Sequence, residues 1–215
     1  VAADHLGSHG IDTVDQLAEV KAIITRATRP RGWVVLNGDD PRVWAMHAGL
    51  KPKPWVFSLD PTIPAIREAL NVGGRATTVL DDWICVLDGN EVDRLVRVVD
   101  VPVTLGGLSR HNVANAMAAA GAAFAIGTGL HEIRQGLRTF TTSYYLSPGR
   151  MNQLSIDNVD VFVDYCHNAP GMRVLGDFVE RYAHTKEGAA DLGKISRIGM
   201  IATAGDRRDD DMREL

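Results

Sequence analysis

Two short apolar runs, Trp33-Val34-Val35-Leu36 and Trp55-Val56-Phe57-Ser58-Leu59, flank a helix-like stretch that starts near Arg42. Their spacing constrains the fold more than any other feature of the chain. Strands rich in β-branched and aromatic residues that alternate with a helix form a parallel sheet with crossovers. The turn Asn37-Gly38-Asp39-Asp40-Pro41 closes the first strand, and Lys51-Pro52-Lys53-Pro54 marks the connection into the second. An α/β fold is therefore expected. Such proteins bind ligands in the crevice outside the carboxyl ends of their strands.

A third run follows this rule most clearly. Val161-Phe162-Val163 is succeeded at once by Asp164-Tyr165-Cys166-His167-Asn168-Ala169-Pro170. The proline pre-sets the first turn of a helix, expected from Ala169 to about His184. Asp164, His167 and Asn168 then stand where a strand delivers polar groups to a ligand. The same pattern also suits a plain strand-to-helix turn, with Asp164 as a cap and His167 on the surface. A further buried strand, Ile198 to Ala202, is expected to deliver Gly205-Asp206-Arg207-Arg208-Asp209-Asp210-Asp211 in the same way, unless that stretch is a solvated charge run.

The remaining stretches are read in order. Asp4-His5-Leu6-Gly7-Ser8-His9-Gly10 is a polar, glycine-broken loop, either solvated or able to offer nitrogen and oxygen ligands to a divalent ion. Thr13 and Gln16 have capping-box spacing ahead of a helix striped by Val14, Leu17, Val20, Ile24 and Ala27. Lys21 lies at the margin of that stripe. Snorkelling of its ammonium explains this, and so would a nearby phosphate or metal centre.

From Arg75 to Leu105 the pattern changes. Thr77–Leu80, Trp83–Leu87 and Leu95–Val103 are strand-like around the reversal Asp88-Gly89-Asn90, which indicates a small antiparallel insertion. Gly106-Gly107-Leu108-Ser109-Arg110-His111 leads into a helix of mostly small residues, Asn112 to about Ile126, smooth enough for another element to pack close. Asn112 and Asn115 share a face near its amino end. Their amides can donate and accept, which suits a purine edge, although a cap at Ser109 or Asn112 with Asn115 exposed is the plainer alternative. A second helix follows Thr128-Gly129 with Leu130, Ile133, Leu137 and Phe140. Ser147-Pro148-Gly149-Arg150 has linker composition and sets a boundary between domains 1–146 and 147–215; beyond it, Met151–Ile156 and Val159–Val163 read as adjacent strands.

The net charge of -4 and pI near 6.0 argue against a general nucleic-acid partner. No apolar run approaches the roughly 20 residues that span a bilayer, so no membrane partner is expected. Cys85 and Cys166 lack disulfide or metal spacing, and a reducing, cytoplasmic setting is expected. The chain begins at Val1, and Asp211-Met212-Arg213-Glu214-Leu215 reads as a helix cut short, so a fragment of a longer protein is expected.

Six stretches in order resemble the Mur ligases, ATP-dependent amide-bond ligases of peptidoglycan synthesis related to folylpolyglutamate and cyanophycin synthetases. They are Asp4-His5-Leu6 with Lys21, Leu36-Asn37-Gly38-Asp39-Asp40-Pro41, His111-Asn112 with Asn115-Ala116, Pro148-Gly149-Arg150, Asp164-Tyr165-Cys166-His167-Asn168, and Gly205-Asp206-Arg207. Asp4-His5-Leu6-Gly7 with Gly10-Ile11-Asp12-Thr13, Pro148-Gly149-Arg150-Met151-Asn152 and Ala204-Gly205-Asp206-Arg207-Arg208-Asp209 look most like the Mur-ligase half of the cyanophycin synthetases, which add arginine to the β-carboxylates of an aspartate polymer.

The resemblance implies a central ATP-binding domain, with a mostly parallel sheet, followed by part of a Rossmann-like domain. It implies ATP and Mg2+, with arginine and an aspartate polymer as partners and a homo-oligomer of the full-length protein. His5 would be a catalytic magnesium ligand, and Lys21 would match the lysine that several members carbamylate. Asn112 and Asn115 would hold adenine, Arg150 the phosphates and Asp164 the ribose, with His167 and Asn168 lining the nucleotide. Asp206 and Arg207 would face the transferred phosphate or the incoming amino acid. Two departures stand out: Cys166 replaces a small residue, and no Gly-x-x-Gly-Lys-Thr/Ser loop occurs. The chain alone is therefore expected to lack ligase activity. A peptidoglycan- or folate-type ligase and a degenerate, non-catalytic nucleotide-binding module are the alternative readings.

Overall fold

A computed structural model describes residues 1–3, 6, 7, 9–190, 195–202 and 213, with 187–190 described by their backbone only. The chain divides into two compact units, one of Val1 with Asp15–Thr141 and the other of Ala2–Val14 with Thr142–Leu215.

In the first unit, β1 (Trp33–Asn37), β2 (Lys53–Ser58) and β3 (Arg75–Leu80) run parallel, as the strand–helix–strand spacing requires. The antiparallel stretch is continuous with them. β4 (Trp83–Asp88) pairs with β3, and β5 (Glu91–Arg97) with β4, giving one mixed sheet in the order β1-β2-β3-β4-β5. The strand expected to reach Val103 stops at Arg97. There the Val98 N–H turns to the Asp82 carbonyl, and two short 3-10 turns, Val98–Asp100 and Pro102–Thr104, carry the chain off the sheet. Pro102 has no amide to give a ladder.

Helices α1 (Val14–Lys21) and α2 (Ile23–Ala27) replace the single striped helix, with the break at Ala22. Leu17, Ala22 and Thr25 are buried, while Val20 and Ile24 face solvent. Helix α3 (Pro41–Ala45) starts where Asp40 Oδ1 accepts from the N–H groups of Arg42 (2.9 Å) and Val43 (3.3 Å). Gly38 is needed just before it, because a Cβ there would lie 2.6 Å from Val56 Cγ2 and 2.7 Å from Ile63 Cδ1. Helix α4 (Pro64–Asn71) escapes the sequence reading: its packed side is only Ala65, Ile66 and Ala69, too short a stripe to declare a period. It covers one face of the sheet against Val56 and Ala76.

The other face holds the larger core. Helices α5 (Arg110–Ala125) and α6 (Leu130–Thr139) bring Val113, Ala116, Met117, Ala120, Ile133 and Leu137 onto Trp55, Ile84, Val86, Leu95 and Val96. The small residues of α5 do what their size suggests. Gly121 sits so close to the fully buried Trp55 that a Cβ would lie 2.6 Å from its Nε1, and the Trp55 ring stacks on Phe124 at 5.7 Å.

In the second unit, β6 (Asn152–Ile156) and β7 (Val159–Val163) form an antiparallel hairpin, and β7 leads into α7 (Ala169–Ala190). Phe162 packs edge-on against Phe178 and Tyr182 of that helix. Ile198–Ala202, expected as a strand, is irregular and its side chains are exposed. An apolar run becomes a strand only where a neighbouring ladder takes its N–H and C=O groups, and among the described residues none does.

Candidate functional site

Because β6 and β7 are antiparallel and Asn152 pairs with Val163, the loop entering β6 and the loop leaving β7 meet at one end of the hairpin. The Tyr165 N–H donates to the Gly149 carbonyl at 2.7 Å, and the Met151 N–H donates to Asp164 Oδ2 at 3.0 Å. Met151 takes a left-handed φ of 51° with its side chain buried, an uncommon conformation for a residue with a Cβ.

Asn152 locks the entering loop. Buried to 3% exposure, it accepts from the Gly149 N–H at 2.6 Å and donates to the carbonyls of Ser147 (2.9 Å) and Thr142. One side chain thereby satisfies three main-chain groups that would otherwise be costly to bury.

Arg150 is left exposed on this loop, its guanidinium carbon 5.7 Å from the centre of the Tyr165 ring. The His167 ring lies 5.4 Å from the same tyrosine, and its Nδ1 is 2.9 Å from the Tyr165 carbonyl. A carbonyl only accepts, so Nδ1 carries the proton there. Asn168 caps α7, its Oδ1 accepting from the Gly171 N–H at 2.9 Å. Cys166 fits in the bend, where a Cβ on Gly171 would approach its Sγ to 2.8 Å. Burial pushes the Cys166 thiol up, and the Asp164 charge adds to this, so the thiol stays protonated at neutral pH.

Arg150, Asp164, His167 and Asn168 thus come together within the second unit. Tyr165 and Asn152, which sequence reasoning left without a role, organise them. Asn152 carried a signal: an amide can donate twice and accept as well, the one side-chain type suited to three neighbouring main-chain groups.

Asn112 and Asn115 belong to the first unit. Asn112 is buried and donates to the Val103 carbonyl at 3.0 Å, fastening the start of α5 to the second 3-10 turn. Asn115 is exposed and donates to Asn112 Oδ1 at 3.2 Å. Ser109 makes no side-chain cap, and its buried hydroxyl lies 3.2 Å from a ring nitrogen of His111. Lys21, the last residue of α1, is exposed. His5, Asp206 and Arg207 lie outside the described residues.

Among the described residues no group of three or more His, Cys, Asp or Glu side chains is close enough to hold a metal ion. Within the second unit, the exposed Arg150 guanidinium and the Asp164 carboxylate, with one oxygen engaged by the Met151 N–H, suit the phosphates and hydroxyls of a nucleotide better than they suit a metal ion. No helix among the described residues is long and apolar enough to cross a membrane.

These elements define a mixed α/β protein with a loop-built polar site at the carboxyl end of a strand. A family profile describing the Mur ligase middle domain matches residues 1–123, and the chain belongs to the Mur ligase family. It is 41% identical over 215 residues to the cyanophycin synthetase of Synechocystis sp., covering all of this chain and 23% of that protein. To the cyanophycin synthetase of Crocosphaera subtropica it is 38% identical over 212 residues, 99% of this chain and 23% of the relative. A UDP-N-acetylmuramoyl-L-alanyl-D-glutamate–2,6-diaminopimelate ligase of Gloeobacter violaceus is 29% identical over 208 residues, 93% of this chain and 38% of that protein. The chain therefore spans about a quarter of the length of the cyanophycin synthetases it matches.

Proposed function

We propose that the protein carrying this chain is an ATP-dependent amide ligase of the cyanophycin synthetase type, which joins arginine to the β-carboxylates of an aspartate polymer. The arrangement of Arg150, Asp164 and His167 around Tyr165 carries this reading, and the similarity to cyanophycin synthetases supports the choice of acceptor.

The reaction begins when a carboxylate oxygen attacks the γ-phosphorus of ATP and ADP leaves, giving an acyl phosphate. The arginine amine then attacks the acyl carbon, the tetrahedral intermediate expels inorganic phosphate, and the amine loses a proton. This chemistry calls for charge neutralisation and positioning rather than a protein nucleophile. Arg150 supplies a cation to phosphate oxygens. Asp164, with Oδ2 held by the Met151 N–H, offers Oδ1 to the ribose hydroxyls, and His167 and Asn168 line the same side. Asn115 presents its carbonyl to the adenine amine, while Asn112 fixes Asn115. Magnesium, when bound, would neutralise phosphate charge, and His5 would be a residue to hold it. Lys21, if carbamylated, would add an anionic group there. Asp206 and Arg207 would act on the transferred phosphate or the amino acid. The assignment of 1–146 to a central domain and 147–215 to a C-terminal domain, and a homo-oligomeric parent protein, belong to the same proposal. The 215-residue chain by itself lacks a phosphate-cradling loop and is inactive.

The test is ADP release by the intact parent protein with ATP, magnesium and a short aspartate–arginine primer, with and without arginine. Arginine-dependent release supports the reading. Release only with a UDP-sugar peptide moves the protein to the peptidoglycan branch. Silence with both acceptors favours a non-catalytic nucleotide-binding module.

A further inference from the structure

Tyr165 follows just after β7 and is 63% exposed, so its ring adds little to the core. Its backbone is nonetheless firmly placed. The Tyr165 N–H donates to the Gly149 carbonyl at 2.7 Å, and Gly149 lies against it, since a Cβ there would come within 3.7 Å of the Tyr165 Cβ. Arg150, the next residue of that loop, has its guanidinium carbon over the tyrosine ring, 5.7 Å from its centre. Packing alone does not account for a large aromatic ring left in water on the loop that carries a cation.

Other arginines lie over rings in this chain, and the fate of their N–H groups sets Arg150 apart. Arg75 lies over Trp33 and Trp55, but Asp88 holds its Nη2 at 2.6 Å. Arg94 lies over Trp83, but Asp81 holds its Nη2 at 3.2 Å. Among the described residues no carboxylate pairs with Arg150. The two kinds of support differ in what they consume. A carboxylate holds a guanidinium by accepting its N–H bonds, whereas a ring attracts the cation through its quadrupole and leaves those donors for another acceptor. Phosphate oxygens are recognised through the same donors.

The backbone on both sides of Arg150 is already fixed, by Asn152 at the Gly149 N–H and by Asp164 at the Met151 N–H. The flexible part is the Arg150 side chain, and the rotamer freedom it loses on binding weakens affinity. We propose that Tyr165 is a positioning residue for Arg150: its ring orders the guanidinium before phosphate arrives and leaves the N–H donors unoccupied. Tyr165 acts through Arg150, and its hydroxyl has no part in this. The role rests on the reading of Arg150 as a phosphate ligand given above.

The experiment is a double-mutant cycle in the intact parent protein, read by calorimetric titration of ATP and of adenosine. Tyr165→Leu is expected to weaken ATP binding about three- to tenfold and to leave adenosine binding unchanged, because only the phosphates meet Arg150. Tyr165→Phe keeps the ring and is expected to bind ATP as the wild type does. In an Arg150→Gln background, Tyr165→Leu is expected to cause no further loss, whereas a merely structural residue lowers affinity by the same factor in both backgrounds. Equal ATP binding by Tyr165→Leu and the wild type overturns the proposal, as does a matching loss of adenosine binding or additive losses in the cycle. If Arg150→Gln weakens ATP binding and Tyr165→Leu does not, the reading of Arg150 stands and the role of Tyr165 falls. If Arg150→Gln binds ATP as the wild type does, both fall. If no ADP is released in the ligase assay but the cycle shows the coupling, the role of Tyr165 stands and the ligase reading alone falls.

Discussion

The backbone N–H of Met151 donates to the Asp164 carboxylate at 3.0 Å, tying the loop that carries Arg150 to the residue that ends β7. A loop that carries an exposed cation and a carboxylate at the end of a strand are thereby fixed in one frame. Asp164→Asn removes the charge from this bond and, with it, from the ribose contact proposed above. In the parent protein it should raise the KM for ATP about tenfold, equivalent to roughly 1.4 kcal/mol, with a smaller effect on the KM for the amino acid. Steady-state kinetics with each substrate varied in turn distinguish the two.

Asn152→Ala tests the same frame from the other side. It leaves the Gly149 N–H and two carbonyls without their partner, and should cost about 2–4 kcal/mol in the urea unfolding of the 215-residue chain. Asn152→Asp keeps the acceptor but loses both donors, so it should fall between wild type and alanine.

The two asparagines of α5 should separate stability from binding. Asn112→Ala breaks a buried bond to the Val103 carbonyl and should lower the unfolding free energy by about 1–3 kcal/mol. Asn115→Ala changes an exposed side chain and should move stability by under about 0.5 kcal/mol while weakening ATP binding in the parent protein. Paired melts and nucleotide titrations read both effects.

Two helical glycines should respond to alanine with opposite signs. At Gly121 the gain in helix propensity, about 1 kcal/mol, competes with a Cβ driven into a rigid, fully buried Trp55 ring, and overpacking of about 1–3 kcal/mol should win. At Gly176 no atom lies within 4 Å of the added Cβ, so Gly176→Ala should stabilise by about 0.5–1 kcal/mol. Denaturant midpoints of the two variants give the signs directly.

Asp160 predicts an acid limb. Hydrogen bonds from the Ser155 and Tyr182 hydroxyls, helped by Lys186, hold its carboxyl down at about 2, from an ordinary value of 3.8. A depressed carboxylate stabilises the fold above its unfolded value and loses that contribution as pH falls through its folded one. Stability should therefore decline between about pH 4 and pH 2, and Asp160→Asn should flatten that decline. Thermal melts of both proteins across the window measure it.

Much of this was legible from residue order alone. The parallel strands at Trp33 and Trp55, the reversal at Asp88-Gly89-Asn90, the smooth helix after Arg110 and the hairpin of residues 152–163 all rest on local signals: periodicity, β-branching, glycine and proline. Where local signals were short or misleading the reading failed. Helix α4 hides behind a stripe of only three apolar residues, and Leu95–Val103 looks like one strand until Val98 finds the Asp82 carbonyl. The apolar run Ile198–Ala202 had strand composition but meets no ladder among the described residues.

The site divides along the same line. Residue type and order alone picked out Asp164, His167 and Asn168, because charged and amide groups at the end of an apolar run are a local pattern, whereas Arg150 was singled out only by the family resemblance. Tertiary structure alone decided that Asn152 ties the loop, that Tyr165 neighbours both Arg150 and His167, and that Asn112 is a fastening while Asn115 remains exposed. It also decided that Arg29-Pro30-Arg31 and Lys51-Pro52-Lys53, twenty residues apart, share one corner. Composition and periodicity act along the chain, but hydrogen-bond satisfaction and charge clustering depend on which segments the sheet brings together, and that is settled only when the strands pair.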